Sequence, residues 1–216
     1  MVLGDIWGLQ FDRFLTEDDF NADGSLKAGL PDQTKVFPAG YQFAPGDVLY
    51  KDLDNNGEIV KQTNTNEKGD LSVIGNALPR LQFGLNLDAA WKGFDISMFF
   101  QGVAKRKLWA AGNQVLPGFT TGEPFYKGAE DYWTPENTDA FYPRPMDYKQ
   151  SASGNYSVND RYLLNMAYLR LKTFTVGYSL PKVWLSKFKV QGLRVYFTGE
   201  NLFTIDGVKP AIDPEI

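Results

Sequence analysis

The chain has 216 residues, 43% hydrophobic and 15% aromatic, with 21 Gly and 12 Pro, a composition that favours a loop-rich all-β chain over a helical one. It contains no cysteine and no histidine, which excludes disulfide frameworks, thiolate chemistry, Ser-His-Asp relays and zinc sites built on His. A net charge of -4 and a pI near 4.9 leave no basic stripe for nucleic acid, and no run of about eighteen apolar residues offers a transmembrane helix. The start, Met1-Val2-Leu3-Gly4-Asp5, lacks the basic and apolar regions of a signal peptide, leaving either a cytoplasmic protein or a piece of something longer.

In chain order, residues 1–14 have strand-like content (Ile6, Trp7, Leu9, Phe11, Phe14) without clean alternation, and residues 15–80 are polar and turn-rich, with a short extended segment at 48–50. Leu81, Phe83, Leu85, Leu87, Ala89 and Trp91 then alternate with Gln82, Gly84, Asn86, Asp88 and Ala90, a two-residue period that predicts a strand over 81–91. After Lys92-Gly93 the pattern resumes with Phe94, Ile96, Met98 and Phe100, so a tight turn leads into an antiparallel strand over 94–102. Strands this long suit a bilayer, which needs about nine to eleven tilted residues against about five to six in soluble proteins. Trp91, Lys92 and Phe94 at the turn read as an interfacial aromatic girdle; a soluble β-sandwich hairpin is the alternative. From 104 to 164 the chain carries five prolines and many aromatics without a period, a connection of about sixty residues where about four to six is usual, hence a functional loop. A second hairpin follows over 168–180 and 193–204; in its first strand the apolar phase moves from Leu169 and Leu171 to Phe174, Val176 and Tyr178, which predicts a β-bulge near Thr173. Short turns alternating with very long loops are the pattern of an outer-membrane barrel.

At Pro45-Gly46-Asp47-Val48-Leu49-Tyr50-Lys51-Asp52-Leu53-Asp54-Asn55-Asn56-Gly57, Val73-Ile74-Gly75-Asn76-Ala77-Leu78-Pro79, Trp91-Lys92-Gly93-Phe94-Asp95-Ile96, Tyr132-Trp133-Thr134-Pro135, Val176-Gly177-Tyr178-Ser179-Leu180-Pro181 and Gly199-Glu200-Asn201-Leu202-Phe203-Thr204, closing on Asp213-Pro214-Glu215-Ile216, the chain resembles the C-terminal part of SusC/RagA-type TonB-dependent outer-membrane transporters. The resemblance runs in order over nearly the whole length. It implies an antiparallel C-terminal portion of a 22-stranded transmembrane β-barrel in the outer membrane of a Gram-negative bacterium. The strands near 81–91, 94–102, 168–180 and 193–204 become strands 18 to 21, with long extracellular loops at 15–78 and 104–164. The plug domain and the TonB-contacting segment are expected to lie outside these residues. The implied activity is import of oligosaccharides or peptides together with a SusD-like surface lipoprotein, energised through TonB, with no catalytic residues. A secreted carbohydrate-binding or calcium-binding module is the alternative function.

Two sets of residues are candidate sites. Asp52-x-Asp54-x-Asn56-Gly57-x-Ile59 matches the opening of a calcium loop, with side-chain oxygens at positions 1, 3 and 5, a Gly for the sharp turn and the backbone carbonyl of Glu58. Its twelfth position is Thr63 instead of a carboxylate, and Asp70 stands where the family places an acid, displaced by an insertion of about seven residues. Ca2+ is therefore the one cofactor considered, against a polar turn held by its own side chains. A second run, Asp19-x-Asn21-x-Asp23-Gly24, reads as a turn. In the long loop, Trp109, Tyr132 and Trp133 are candidate substrate contacts, able to stack on sugar rings or hold peptide side chains, against a role in the loop's own core. Asp88 and Asp95 suggest a glycosidase pair but flank the turn on the polar face, and Asp160 and Arg161 are read as a loop-anchoring ion pair.

Overall fold

A computed structural model describes residues 2–64, 67–119, 125–146, 154–208 and 212–215. Its strands are β1 (Asp5–Gly8), β2 (Phe11–Phe14), β3 (Val48–Tyr50), β4 (Lys61–Asn64), β5 (Glu67–Gly69), β6 (Ser72–Asn76), β7 (Leu81–Trp91), β8 (Phe94–Lys105), β9 (Lys107–Leu108), β10 (Leu164–Asn165), β11 (Tyr168–Ser179) and β12 (Arg194–Asp206). The helices α1 (Lys182–Leu185) and three short 3-10 turns complete the described elements. The chain divides into two compact units, one of Met1–Leu78, Lys107–Leu164 and Lys209–Ala211, the other of Pro79–Arg106, Asn165–Val208 and Ile212–Ile216.

The second unit is a four-stranded antiparallel sheet in the order β12-β11-β8-β7. Lys92 and Gly93 turn β7 into β8 with φ values of 47° and 91°, the paired left-handed residues of a type I′ hairpin, whose twist matches that of the strands. Phe83 pairs with Gly102, Leu85 with Phe100, Leu87 with Met98, Ala89 with Ile96 and Trp91 with Phe94. Phe100, Met98, Ile96 and Phe94 in turn meet Leu171, Phe174, Val176 and Tyr178 of β11, and Val176 and Tyr178 meet Phe197 and Val195 of β12. One face of all four strands is thus apolar. Leu85 at 49%, Phe197 at 62% and Ile205 at 61% exposure show that no described residue covers the face at these positions. The bulge expected near Thr173 is present: the register of β11 shifts between Leu171 and Thr173 against both neighbours, which keeps Phe174, Val176 and Tyr178 on the apolar face after Lys172 is skipped.

On the other face, Arg194 of β12 reaches across β11 to Asp95 of β8, its Nε donating at 3.1 Å. The reach needs Gly177 between them, because a Cβ there would lie 2.6 Å from the Arg194 guanidinium and 2.7 Å from an Asp95 oxygen. Gly102 is a comparable hole on the apolar face: a Cβ would stand 2.5 Å from Cζ of Phe83, whose ring covers it.

The first unit has short strand pairs, β1 with β6, β2 with β3 and β4 with β5. They surround a core of Leu9, Phe14, Val36, Phe37, Val48, Tyr50, Ile59, Trp133 and Ala140. So little regular structure leaves many backbone groups to be satisfied by side chains, and buried polar residues do that. Asp47, fully buried, accepts from the Tyr41 hydroxyl at 2.8 Å, the Ala44 N–H at 2.9 Å, Arg144 Nε at 2.8 Å and Asn155 Nδ2 at 3.0 Å. Asn155 in turn accepts the Val48 N–H at 2.8 Å. Gln33 donates to the Val48 carbonyl at 2.8 Å and accepts the Tyr50 N–H at 3.2 Å, capping the free side of β3. Segments about a hundred residues apart are tied through one carboxylate whose charge is paired and fully hydrogen-bonded, the condition for tolerating it in a core.

Candidate functional site

The Asp-rich loop lies between β3 and β4. Asn55 and Gly57 adopt left-handed φ values of 57° and 87°, curling the backbone so that its N–H groups point inward. The Asp52 carboxylate accepts from the Gly57 N–H at 2.8 Å and from the Asn56 N–H at 3.3 Å; Asp54 takes the same Asn56 N–H at 3.2 Å. The Gly57 N–H holds the Asp52 carboxyl below the usual carboxylate range. Asn56 accepts the Glu58 N–H at 2.7 Å, while the Glu58 side chain turns away to pair with Lys35.

Asp70 closes the loop. Strands β4 and β5 form a hairpin that accommodates the insertion, and the Asp70 N–H returns to the Val60 carbonyl at 2.9 Å. Its fully buried carboxylate accepts the Leu53 N–H at 2.8 Å and the Val60 N–H at 2.7 Å. Oxygens of Asp52, Asp54 and Asp70 lie within 4.8 Å of one another. The loop therefore gathers the carboxylates of Asp52, Asp54 and Asp70 around one point, with Asn56 bracing the turn. A hard divalent cation suits such an oxygen cluster. Asp19, in the second acidic run, pairs with Arg13 at 2.6 Å, and Asp23 accepts from Ser25, so that run is a turn.

The aromatic candidates separate. Trp133 is buried in the loop core at 6% exposure and offers no ring face to a ligand, Trp109 is half-buried, and Tyr132 is exposed at 40%. Tyr132 lines a cavity of about 420 Å³ with Phe125, Tyr126, Tyr142 and Tyr156. Neighbours in sequence take opposite roles because the Trp133 N–H is held by the Tyr142 carbonyl at 3.0 Å, which turns one ring in and the other out. Asp160 and Arg161 do not pair with each other as expected: Asp160 accepts the Phe11 N–H at 2.8 Å, and Arg161 donates to the Ala140 and Phe141 carbonyls with its guanidinium 4.3 Å from the Phe11 ring centre. Both anchor the loop, through backbone and ring faces.

On the polar face of the sheet, Arg170 donates to Asp213 at 2.7 Å, Glu215 at 2.8 Å and Thr204 at 2.7 Å. Lys172, freed by the bulge, adds a bond to Glu215 at 2.9 Å. Residues 212–215 are thereby strapped onto that face, and Arg170 and Lys172 lower the Asp213 and Glu215 carboxyls. Sequence reasoning missed this strap and the Asp47 cluster, whose members come from segments with no common period.

Among proteins of known sequence, the chain is 33% identical over 177 residues to TonB-dependent receptor P3 of Formosa agariphila, covering 79% of the chain and 16% of that receptor. It is 24% identical over 210 residues to TonB-dependent receptor SusC of Bacteroides thetaiotaomicron, covering 93% of the chain and 20% of that receptor. A solved structure of the RagAB peptide transporter matches with a TM-score of 0.61 at 19% identity, over 98% of the chain and 20% of the solved one. The chain is related to a segment of TonB-dependent receptors, SusC among them. No protein-family model matches it. The chain spans a fifth or less of the length of the receptors it matches, and its antiparallel strands correspond to part of the receptor β structure.

Proposed function

We propose that the chain supplies four consecutive strands and two extracellular loops near the C-terminal end of a 22-stranded outer-membrane barrel. The transporter imports oligosaccharides or peptides, is energised through TonB and is capped by a SusD-like lipoprotein. The observation that carries this reading is the apolar face of β7, β8, β11 and β12: four strands of 11, 12, 12 and 13 residues, with large hydrophobic side chains of β7, β8 and β12 open to the surroundings. Its expanse exceeds what a water-exposed sheet tolerates, and the strands are long enough to cross a bilayer. The test is deletion of the gene in its host, with growth measured on oligosaccharide or peptide as sole nutrient and lipoprotein co-purification with the restored transporter. Unchanged growth on both nutrients, with no lipoprotein recovered, would overturn the reading.

The convergence of Asp52, Asp54 and Asp70 supports an accessory role: the loop binds Ca2+ and stiffens the extracellular segment leading into β7. Extracellular calcium modules bind at about 10⁻⁴ to 10⁻³ M, so the ion is expected only in a calcium-rich exterior. Proteolysis of residues 50–72 in the intact transporter, with calcium or chelator and beside an Asp52→Ala, Asp54→Ala double variant, measures it. Equal protection in all four conditions leaves a plain turn.

A further inference from the structure

The connection between β11 and β12 is more than a turn. Residues 181–192 include Lys182, Lys187 and Lys189 and no acid. Pro181 starts α1, its carbonyl accepting the Trp184 N–H at 3.0 Å, and the Val190 N–H returns to the Leu185 carbonyl at 3.2 Å. Leu185 points inward at 4% exposure while Val183 and Trp184 stand out at 75% and 59%. At a spacing of three to four, Val183, Trp184 and Lys187 share one side of the turn. The β7–β8 turn lies at the same end of the sheet, since Trp91 pairs with Phe94, Phe94 with Tyr178 and Tyr178 with Val195. There Trp91 is exposed, with Lys92 Nζ 4.7 Å from its ring centre, and the Phe94 and Tyr178 rings lie 4.5 Å apart. The apolar face of the sheet therefore ends in a band of aromatic rings with Lys92 beside them, and the α1 segment follows β11 at that same end.

We propose that residues 181–192 form a docking surface for the phosphate headgroups of anionic phospholipid, with Val183 and Trp184 at the edge of the hydrocarbon and Lys182, Lys187 and Lys189 on the phosphates. Two features argue for lipid over a protein occupant: the segment is continuous with the uncovered apolar face, and its charge is of one sign, complementary to phosphate. Tryptophan suits the border because its ring is apolar and its N–H polar. A lysine near an anionic surface contributes about fivefold in lipid occupancy and is screened by salt.

The inference rests on the membrane placement of the sheet, and the experiment separates the two. The chain has no cysteine, so single Val183→Cys and Leu85→Cys variants of the full transporter, otherwise free of cysteine, take a fluorescent label. They are reconstituted with acyl-brominated phosphatidylglycerol or phosphatidylcholine. The label at 85 should be quenched equally by both lipids. The label at 183 should be quenched severalfold more by phosphatidylglycerol, and Lys187→Gln with Lys189→Gln, or high salt, should abolish that preference. No quenching at 85 overturns the membrane placement itself. Quenching at 85 with none at 183, or quenching at 183 without headgroup preference, overturns the docking surface and leaves the placement standing.

Discussion

Leu85 lies on the apolar face of β7, six positions before Trp91. With a rise of about 3.3 Å per residue and a strand tilt of about 40°, six residues carry it about 15 Å from the aromatic band along the membrane normal, half of a core of about 30 Å. Leu85→Arg thus places a charge at the bilayer midplane, where about 2 to 4 kcal/mol of folding stability is lost. Ala89, only two residues from Trp91 on the same face, lies about 5 Å from the band, and Ala89→Arg should cost about 0 to 1 kcal/mol. Asn86 shares the depth of Leu85 but faces the polar side, so Asn86→Arg should stay within about 0.5 kcal/mol. Urea unfolding of the full transporter in lipid vesicles, followed by tryptophan fluorescence, measures all three. Equal losses at 85 and 86 would refute the face assignment, and equal losses at 85 and 89 would refute the depth.

Asp70→Ala strips the acceptor from two backbone N–H groups, those of Leu53 and Val60; at about 1 to 3 kcal/mol each the loop should lose about 2 to 6 kcal/mol, with Asp70→Asn costing less, read by hydrogen exchange at those amides. The Asp19 carboxyl, lowered to about 2 chiefly by its hydrogen bond from Arg13, stabilises its turn above the ordinary value near 3.8 and loses that support as pH falls toward 2. Acid titration by carboxyl NMR should show it, and an ordinary midpoint for Asp19 would contradict the pairing. Arg170→Ala should release residues 212–215 to protease while leaving the pairing of β11 with β8 intact, because the strap depends on that guanidinium and the strand ladder does not.

The long strands were legible because their two faces meet different surroundings. Leu81 to Trp91 could alternate without error only if one side stayed apolar throughout, and the bulge showed as a phase jump at Lys172. The loops were not legible in this way. Asp47 belongs to a quoted sequence block, yet its role depends on Tyr41, Arg144 and Asn155, brought together by folding with no periodic trace. The pairing of Asp95 left no trace in the sequence because its partner, Arg194, lies two strands away in the sheet and about a hundred residues on in sequence. The Asp52 loop sits between these cases: its turn chemistry is local and readable, while the return of Asp70 depends on how the inserted hairpin folds back.

The ring of Phe83 over Gly102 carries a consequence for how such receptors diverge. Neither residue can change alone at no cost: a side chain at 102 collides with the ring, and a small residue at 83 uncovers the backbone that the ring shields. Among relatives that have drifted as far as those matched here, the two positions should therefore mutate as a couple, a bulky residue at one accompanying glycine at the other, with both reversed together when the sheet is repacked.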